Sequence, residues 1–377
     1  MITVIEIFIW WMLLASLLYL IIIAVFTYGW FTLKQNGNQK SMGKTKASVI
    51  VAVRNEAENI QKLLDALLNQ TCNPELFEVI VVDDHSEDNT VKLVQDFADS
   101  HAGINIKLLH AVGTGKKQAV SLGIESAANN LIITTDGDCV PGRQWIAKMT
   151  GYFEKHQPRI ILGPVVYMEE KGLLQQLFSL DFISLVASGA GSAGAGLPFM
   201  GNAANMAFDK SVFSSDSLKE DFSSGDDVFL IHTVKKQFGN RSIHFLKDAQ
   251  ALVTTQAPAN WRAFLNQRLR WASKAKGYHD FWSLLVSWSV LLFNIGLALL
   301  FTAGFFWRWM WVVWMLFIAL KAFIDFPLLS GYAQLTGKSK QLVYLWLMEF
   351  IYPFYIVVAG VGSLFVKYRW KGRAGLK

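Results

Sequence analysis

The fold of this 377-residue chain is predicted by one stretch, Leu-Ile-Ile-Thr-Thr-Asp-Gly-Asp at residues 131–138. A short run of apolar and β-branched residues predicts a buried strand. The strand ends at Asp136 and Asp138, two carboxylates that stand one residue apart. Mg²⁺ and Mn²⁺ prefer oxygen ligands and accept phosphate oxygens beside them. An Asp-x-Asp turn by itself is common in solvated loops, so its meaning depends on the rest of the chain.

Strands and helices alternate on the amino-terminal side of this stretch. β-branched runs predict the strands, and apolar residues at helical spacing predict the helices between them. Such alternation predicts an α/β fold with a mostly parallel, doubly wound sheet, in which ligands bind at the carboxyl ends of the strands. The predicted strands are 48–53, 79–82, 106–109, 131–135 and 158–167, and the predicted helices are 60–68, 90–98 and one that begins near Lys116.

A second acidic pair, Asp83 and Asp84, ends the strand that precedes the second helix. Both acidic clusters therefore lie where a parallel sheet binds its ligands. The carboxylates of this pair can accept hydrogen bonds from a nucleotide base or a ribose hydroxyl. The alternative is a helix cap formed by Ser86 or Asp88, with incidental acids beside it.

Lys116 follows Gly115 at the start of a predicted helix. The surrounding residues do not have the GxxxxGK[ST] spacing of the phosphate-binding loop, so the sequence does not predict a nucleoside triphosphatase. Lys116 either approaches a bound nucleotide or is solvated, and its neighbours in the sequence favour neither alternative.

Asp226 and Asp227 begin another predicted helix, since acidic residues favour the amino terminus of a helix. The carboxylate of Asp227 suits a general base that takes a proton from a hydroxyl group. The alternative is a pair of acids that serves only the start of the helix.

The stretch Gln-Arg-Leu-Arg-Trp at residues 267–271 lies where ordinary composition gives way to apolar segments. The guanidinium of Arg270 is a planar fork that fits two phosphate oxygens. Gln267 lies three residues earlier, on the same face of a helix, and Trp271 offers a flat apolar surface to a sugar ring or a lipid. The alternative is a membrane anchor in which this stretch contacts lipid headgroups.

The composition indicates a membrane protein, because 53% of the residues are hydrophobic and only 17% are charged, against about 25% charged in soluble proteins. The segments long enough to cross a bilayer are 7–31, 281–306, 309–329 and 342–366. Four lysines follow the first segment and place the next domain in the cytoplasm by the positive-inside rule; they are Lys34, Lys40, Lys44 and Lys46. The predicted domains are an anchor at 1–32, a cytoplasmic domain at 45–275, a transmembrane region of about three helices at 281–366 and a basic tail at 367–377.

Two features of the apolar segments leave alternatives open. The glycine-rich stretch 188–196, within 173–200, favours an amphipathic interfacial segment and a flexible loop over a transmembrane helix. Three crossings after a cytoplasmic domain would put the basic tail outside, against the positive-inside rule. Either one of the three segments is interfacial or re-entrant, or the rule fails for this chain.

Lys321 and Asp325 lie four residues apart within an apolar segment, at a spacing that permits mutual neutralisation. Charges inside a membrane are candidates for a functional role. The favoured alternative places the pair near an interface, beside Pro327.

The motifs together resemble those of the membrane-bound inverting glycosyltransferases of family 2, which have the GT-A fold. The resemblance covers residues 47–275 and rests on the order and spacing of the motifs. They are Val53-Arg54-Asn55-Glu56, Asp83-Asp84-His85-Ser86-Glu87-Asp88, Gly115-Lys116, Thr135-Asp136-Gly137-Asp138, Gly201-Asn202, Gly225-Asp226-Asp227 and Gln267-Arg268-Leu269-Arg270-Trp271.

The resemblance implies a role for each matching residue. Asp136 and Asp138 would hold Mg²⁺ or Mn²⁺, with Asp138 as the direct ligand. Asp227 would be the catalytic base, with Asp226 beside it in the catalytic pair, although the family's usual Glu-Asp or Thr-Glu-Asp is here Gly225-Asp226-Asp227. Nucleotide-sugar binding is implied for Arg54, Glu56, Asp83, Asp84, Lys116, Asp136, Gln267 and Arg270. Acceptor binding is implied for Gly201, Asn202 and Trp271.

The resemblance implies transfer of a sugar, with inversion, from a nucleotide-diphosphate sugar, a UDP-sugar, to a hydroxyl of a membrane lipid. Processive polysaccharide synthases share the QxxRW motif, which is formed here by Gln267, Arg270 and Trp271. These synthases commonly have more transmembrane helices than are predicted for this chain. The alternatives are a short processive polysaccharide synthase that extends a glycan at the membrane and a non-catalytic membrane scaffold.

The expected partners are the nucleotide-sugar donor, a membrane lipid or glycan acceptor, and the lipid bilayer. Nucleic acid is not expected, because the basic residues fall largely beside apolar segments, a placement typical of contact with anionic lipids. The expected location is the plasma (inner) membrane, with the catalytic domain in the cytoplasm.

Overall fold

A computed structural model describes residues 4–37, 44–168, 171–213, 226–365, 369–370 and 373–374. The α-helices of these residues are α1 (Val4–Thr32), α2 (Ile60–Leu68), α3 (Thr90–Ser100), α4 (Lys116–Glu125), α5 (Trp145–His156), α6 (Leu173–Gly194), α7 (Asp226–Phe238), α8 (Trp261–Ser273), α9 (Phe281–Ala303), α10 (Trp309–Thr336) and α11 (Leu345–Phe365).

The β-strands follow the pattern predicted from the sequence over the first half of the chain. They are β1 (Ala47–Val53), β2 (Phe77–Asp83), β3 (Asn105–His110), β4 (Leu131–Asp136), β5 (Val140–Pro141), β6 (Ile160–Leu162), β7 (Val165–Tyr167), β8 (Met206–Asp209), β9 (Ile243–Phe245), β10 (Val253–Thr255), β11 (Arg369–Trp370) and β12 (Arg373–Ala374).

The chain divides into two compact units. The first is an α/β unit, made of 33–169, 200–257 and 369–377. Its main sheet has seven strands in the order β3-β2-β1-β4-β8-β6-β9, and β8 alone is antiparallel to its neighbours β4 and β6. Every residue of β2 is buried, as expected for a parallel strand covered on both faces. The predicted α/β fold with a mostly parallel sheet is confirmed.

The single strand predicted at 158–167 is wrong, because β6 and β7 separate there and join different sheets. Gly163 lies between them against the side chain of Asn205, where any larger residue would clash. Pro164 follows, has no N–H for a ladder, and accepts a hydrogen bond from Asn205 Nδ2 at 2.7 Å. The chain therefore turns from one sheet to the other at this point.

The second unit is helical and contains 1–32, 170–199 and 258–368. By length and composition, five of its helices in the described part of the chain are able to cross a membrane: α1, α6, α9, α10, and α11 with the 3-10 turn before it. The four segments predicted from the sequence are among them, and α6 is the addition.

The flexible loop predicted at 188–196 is wrong, because α6 continues to Gly194. Its glycines serve helix packing instead. A side chain at Gly191 would clash with the backbone of Phe26 in α1, and one at Gly29 would clash with the backbone of Gly191. Small residues permit such close approach of two helices in an apolar environment.

The strands on either side of α6 bear on whether it crosses the membrane. The chain leaves the α/β unit after β7 and returns to it at β8, which pairs with β4. If α6 crossed, β8 and β4 would lie on opposite sides of the bilayer. The pairing therefore supports the interfacial placement predicted for this segment.

Lys321 is buried in α10 and has two carboxylate partners. Its Nζ lies 2.7 Å from Asp325 in the same helix and 2.7 Å from Glu349 in α11. The hydroxyl of Tyr19 in α1 donates to Asp325 at 2.8 Å. The pairing of Lys321 with Asp325 was predicted from spacing, whereas Glu349 and Tyr19 join from other helices.

Candidate active site

The first strands of the sheet end along one edge and bring the two acidic clusters together. Val53 in β1 stands opposite Asp83 in β2, and Ala52 stands opposite Asp136 in β4. Parallel pairing in this register places Asp83 and Asp136 in the two strands that flank the end of β1. This is the edge at which open α/β sheets bind ligands.

Asp83 and Asp84 hold the loop after β2 in shape. Oδ1 of Asp83 accepts a hydrogen bond from the backbone N–H of Ser86 at 3.1 Å, and Oδ1 of Asp84 accepts one from the N–H of Gly115 at 2.9 Å. Arg54 donates to the carbonyl of Asp84 at 3.0 Å. The pair thus links the loops after β1, β2 and β3, and its role in binding a nucleotide remains a prediction.

Glu56 lies against the turn between Asp136 and Asp138. A side chain added at Gly137 would come within 3.0 Å of Glu56 Cγ and of Val53 Cγ1, so only glycine fits between the two acids without displacing a neighbour. The carboxylate of Glu56 accepts a hydrogen bond from the side chain of Asn59 at 3.0 Å. Packing therefore explains the glycine of the motif.

Lys116 and Asp136 form an ion pair, with Nζ 2.5 Å from Oδ1. Lys116 begins α4, and its role in binding a nucleotide remains a prediction. The two residues also line one small cavity together with Leu230, which lies one turn after Asp227 in α7. The cavity brings the start of α4, the end of β4 and the first turns of α7 to one place.

Asp136 and Asp138 fit a divalent cation by their chemistry. Each offers a carboxylate oxygen, and these atoms lie with Cys139 Sγ within 4.8 Å of one another. Thr255 donates to Oδ2 of Asp138 at 3.4 Å, which orients that carboxylate from β10. Burial, with the negative charges of Asp138 and Asp136, holds the pKa of the Cys139 thiol well above its ordinary value. The thiol stays protonated, so the oxygens are the donors for a hard cation.

Asp227 lies in the first turn of α7 and is 9% exposed. Its Oδ1 accepts a hydrogen bond from the N–H of Val228 at 2.8 Å. Asp226 begins the helix, as predicted, and its side chain lies outside the described residues. Burial of a carboxylate at the start of a helix is compatible with the predicted base and with the predicted helix-start role.

Gly201 and Asn202 have structural partners in the α/β unit. A side chain at Gly201 would come within 2.6 Å of Leu162 and within 2.9 Å of Ile231. Oδ1 of Asn202 accepts a hydrogen bond from the N–H of Ala204 at 3.0 Å. These contacts give both residues a role in the loop before β8, and acceptor binding remains a prediction.

Gln267, Arg270 and Trp271 lie on α8 of the helical unit, as predicted for a motif on a helix. The residue buried between them is Arg268, which pairs with Asp181 in α6. Sequence reasoning missed this pair. Asp181, a lone acid in the apolar stretch of α6, is the signal in the sequence that could have pointed to a buried pair. Its partner Arg268 lies 87 residues away and could not be identified from spacing.

Two family models match the chain. The one described as Glycosyl transferase family 2 matches residues 48–199, and the one described as Glycosyl transferase family group 2 matches residues 131–331. The second match covers more than half of the chain and includes the DxD turn, Asp227 and the 267–271 stretch.

Curated relatives match parts of the chain. Glycosyltransferase AglE of Haloferax volcanii is 39% identical over 101 residues, which are 27% of this chain and 33% of that protein. Undecaprenyl-phosphate 4-deoxy-4-formamido-L-arabinose transferase of Proteus mirabilis is 32% identical over 94 residues, 25% of this chain and 29% of that protein. The chain spans a third or less of the length of these relatives.

A solved structure matches over nearly the whole chain. Mannosyltransferase PcManGT from Pyrobaculum calidifontis, in complex with GDP-Man and Mn²⁺, aligns with a TM-score of 0.59 over 94% of this chain and 96% of that chain. The sequences are 19% identical, so the likeness is one of fold. It confirms the GT-A fold for this chain.

Proposed function

Because the chain belongs to glycosyl transferase family 2, we propose that it transfers a sugar from a nucleotide-sugar donor, that this donor is a UDP-sugar and that the acceptor is a hydroxyl of a membrane lipid. The observation that carries this proposal is the shared edge of β1, β2 and β4. At this edge, Asp83 ends β2 and Asp84 follows it, and Asp136 at the end of β4 forms an ion pair with Lys116, all within the α/β unit.

The proposed donor site uses the loops at this edge. Asp83 and Asp84 accept hydrogen bonds from the base and the ribose, and Arg54 holds the loop that carries them. Glu56 packs against the turn between Asp136 and Asp138. Asp136 and Asp138 hold Mg²⁺ or Mn²⁺. When bound, the cation supplies positive charge to the donor diphosphate.

The proposed chemistry is a direct displacement at the anomeric carbon. The acceptor oxygen forms a bond to that carbon while the bond to the diphosphate oxygen breaks, and the configuration inverts. Asp227 takes the proton of the acceptor hydroxyl. Arg270, with Gln267, stabilises the charge on the departing diphosphate, and Trp271 contacts the acceptor.

The lipid acceptor is supported by the long apolar helices and by a relative. Among the described residues, five helices are long and apolar enough to cross a membrane, and the name of the Proteus mirabilis relative includes undecaprenyl phosphate. We place the α/β unit on the cytoplasmic face of the plasma (inner) membrane, because lysines follow α1.

The test uses the full chain in lipid nanodiscs with Mn²⁺ or Mg²⁺. UDP-glucose, UDP-galactose, UDP-N-acetylglucosamine and GDP-mannose are each offered with diacylglycerol or undecaprenyl phosphate, and products are identified by mass spectrometry. One sugar from a UDP donor on diacylglycerol supports the proposal. A ladder of products identifies a processive synthase, and no turnover of any donor rejects a catalytic role.

Asp227→Asn tests the proposed base. We expect turnover on a hydroxyl acceptor to fall by about 100-fold or more, as general bases contribute about 10²–10⁴-fold. Asp65→Asn is the matched control, because Asp65 is exposed on α2. Undecaprenyl phosphate presents an oxygen that is already ionised and needs no base. Unchanged turnover of Asp227→Asn on diacylglycerol would contradict the assignment.

A further inference from the structure

α8 has a buried charge at the centre of its inward face. Arg268 is 5% exposed, and the other buried residue of this helix is Phe264, one turn earlier. Arginine is almost never fully buried unless it is paired. The sequence motif singles out Gln267, Arg270 and Trp271 on this helix, and none of their proposed roles uses Arg268.

Arg268 is held by one carboxylate that joins three helices. Its Nε donates to Oδ2 of Asp181 in α6 at 2.7 Å, and its Nη2 donates to the same oxygen. The other oxygen of Asp181 accepts from the hydroxyl of Tyr355 in α11. Asp181 is 2% exposed and Tyr355 is 4% exposed. A charge-assisted contact of this kind fixes direction as well as distance.

Aromatic rings enclose the guanidinium. Its central carbon lies 4.4 Å from the ring centre of Phe264 and 4.4 Å from that of Trp271. Phe264 in turn stacks on Phe178 of α6, with ring centres 4.3 Å apart. Cations placed over aromatic faces attract them, so Arg268 sets the position of both rings.

The same guanidinium contacts the motif itself. Nη1 of Arg268 donates to Oε1 of Gln267 at 2.7 Å. Arginine has only donors, so this contact fixes which atom of the Gln267 amide is the oxygen. The N–H donors of that amide then point away from Arg268, and such donors are the groups that bind phosphate oxygens.

We propose that Arg268, held by Asp181 and Tyr355, is a positioning residue that sets the orientation of the Gln267 amide and the Trp271 indole. The inference rests on the proposed function, in which these two side chains contact the diphosphate and the acceptor. Arg268 acts through them and touches no substrate. Its loss therefore lowers kcat more than it weakens donor binding.

The experiment compares full-length variants in nanodiscs of phosphatidylethanolamine and phosphatidylglycerol, with Mn²⁺ and the nucleotide sugar that the wild type turns over. The readouts are kcat, KM for the donor, and the thermal unfolding midpoint. For Arg268→Met we expect a fall in kcat of about 10- to 100-fold, the size of a misplacement near 1 Å, with KM changed by less than about threefold. Arg262→Met on the exposed face of α8 is the matched control, with unchanged kcat.

A double variant separates positioning from general destabilisation. If Arg268 acts through Gln267, then Gln267→Ala with Arg268→Met loses no more kcat than the worse single variant. Tyr355→Phe keeps the ring and removes the hydroxyl that holds Asp181, so it tests the idea if Arg268→Met fails to fold. We expect a fall of about threefold or more in kcat for Tyr355→Phe.

Three results would overturn the inference while the proposed function stands. They are wild-type kcat in a folded Arg268→Met, multiplied losses in the double variant, and wild-type kcat in Tyr355→Phe. A wild type that turns over none of the nucleotide sugars would instead reject the proposed function, and this inference with it.

Discussion

At the scale of single residues, Lys116 and Asp136 form an ion pair within the candidate site. The ammonium lies 2.5 Å from the carboxylate, which is also one of the two proposed metal ligands. Asp136 stands one residue from a second acid, Asp138, and a nearby cation offsets the repulsion between two carboxylates. Lys116 therefore neutralises the acid, and it competes with a metal ion for the same oxygen.

Replacement of Lys116 by methionine tests this competition. We expect Lys116→Met to bind Mn²⁺ more tightly than the wild type when no nucleotide is present, by up to about fivefold, because a partly exposed ion pair is worth about 0.2–1 kcal/mol. Isothermal titration with Mn²⁺ alone measures this affinity. Lys62→Met, at an exposed lysine of α2, is the control, and Asp138→Asn should lose the binding. Weaker Mn²⁺ binding by Lys116→Met would show that Lys116 does not compete with the metal.

The two acidic clusters at the edge of the sheet could be located from the sequence, because each follows a run that forms a strand. Asp83 and Asp136 share one edge as a direct consequence of parallel pairing. The contact of Arg268 with Asp181 could not be predicted, since it joins two helices 87 residues apart. Local spacing carries no information about such a pair.

At the scale of secondary structure elements, hydrophobic periodicity predicted the strands and helices between Ala47 and Asp136. α2 has the predicted bounds, Ile60–Leu68, and β4 extends the predicted strand by one residue, to Asp136. The failures lie where packing overrides local preference. The glycines of α6 indicated a loop, but they permit close approach to α1 at Phe26, which a sequence pattern cannot show.

Glu78 links the amino ends of the first four strands, at the edge of the sheet opposite to the candidate active site. Its carboxylate accepts hydrogen bonds from Ser48 Oγ in β1 at 2.6 Å, from Lys107 Nζ in β3 at 2.7 Å and from the N–H of Ala128 before β4 at 2.7 Å. Burial raises the pKa of Glu78, but these hydrogen bonds together outweigh burial and lower it below its ordinary value of 4.5. The ionised form therefore stabilises the folded state.

The sign of this shift predicts an acid-dependent loss of stability. A lowered pKa in the folded state gives stability that is present above about pH 4.5 and is lost as pH falls through the folded value. Glu78→Gln should lower the unfolding midpoint at pH 7, and the difference from the wild type should shrink below about pH 4.5. Thermal unfolding at a series of pH values measures this, with Glu75→Gln at an exposed position as the control. A gap that stays constant with pH would contradict the role given to the charge.

At the scale of the whole molecule, contacts within the helical unit help to determine on which side of the membrane the basic tail lies. Trp30, at the end of α1, packs on Tyr332 near the end of α10, with ring centres 5.6 Å apart. The end of α1 leads directly into the α/β unit at Leu33. We infer that the carboxyl ends of α1 and α10 lie on the same side of the membrane.

The carboxyl end of α11 contacts Lys276, which lies on the same side of the membrane as the carboxyl ends of α1 and α10. Lys276 Nζ donates to the carbonyl of Leu364 at 3.3 Å, and a side chain at Gly362 would come within 3.1 Å of Leu269 in α8. In the sequence, Lys276 lies between the end of α8 and the start of α9. Because α11 begins shortly after α10 ends, both of its ends lie on one side. We infer that α11 is re-entrant or interfacial, which reconciles the basic tail with the positive-inside rule.

Accessibility of single cysteines tests this topology in sealed vesicles of one orientation. In a Cys72→Ser background, cysteines replace Lys44 before β1, Arg308 between α9 and α10, Lys340 between α10 and α11, and Lys377 at the tail; the first three positions are exposed. A membrane-impermeant maleimide should label the Lys340 and Lys377 positions from the same side as Lys44, and the Arg308 position from the other side. If the Lys377 position is labelled from the Arg308 side, α11 crosses the membrane. The positive-inside rule would then fail for this chain, since five basic residues of the tail, Lys367, Arg369, Lys371, Arg373 and Lys377, would lie outside.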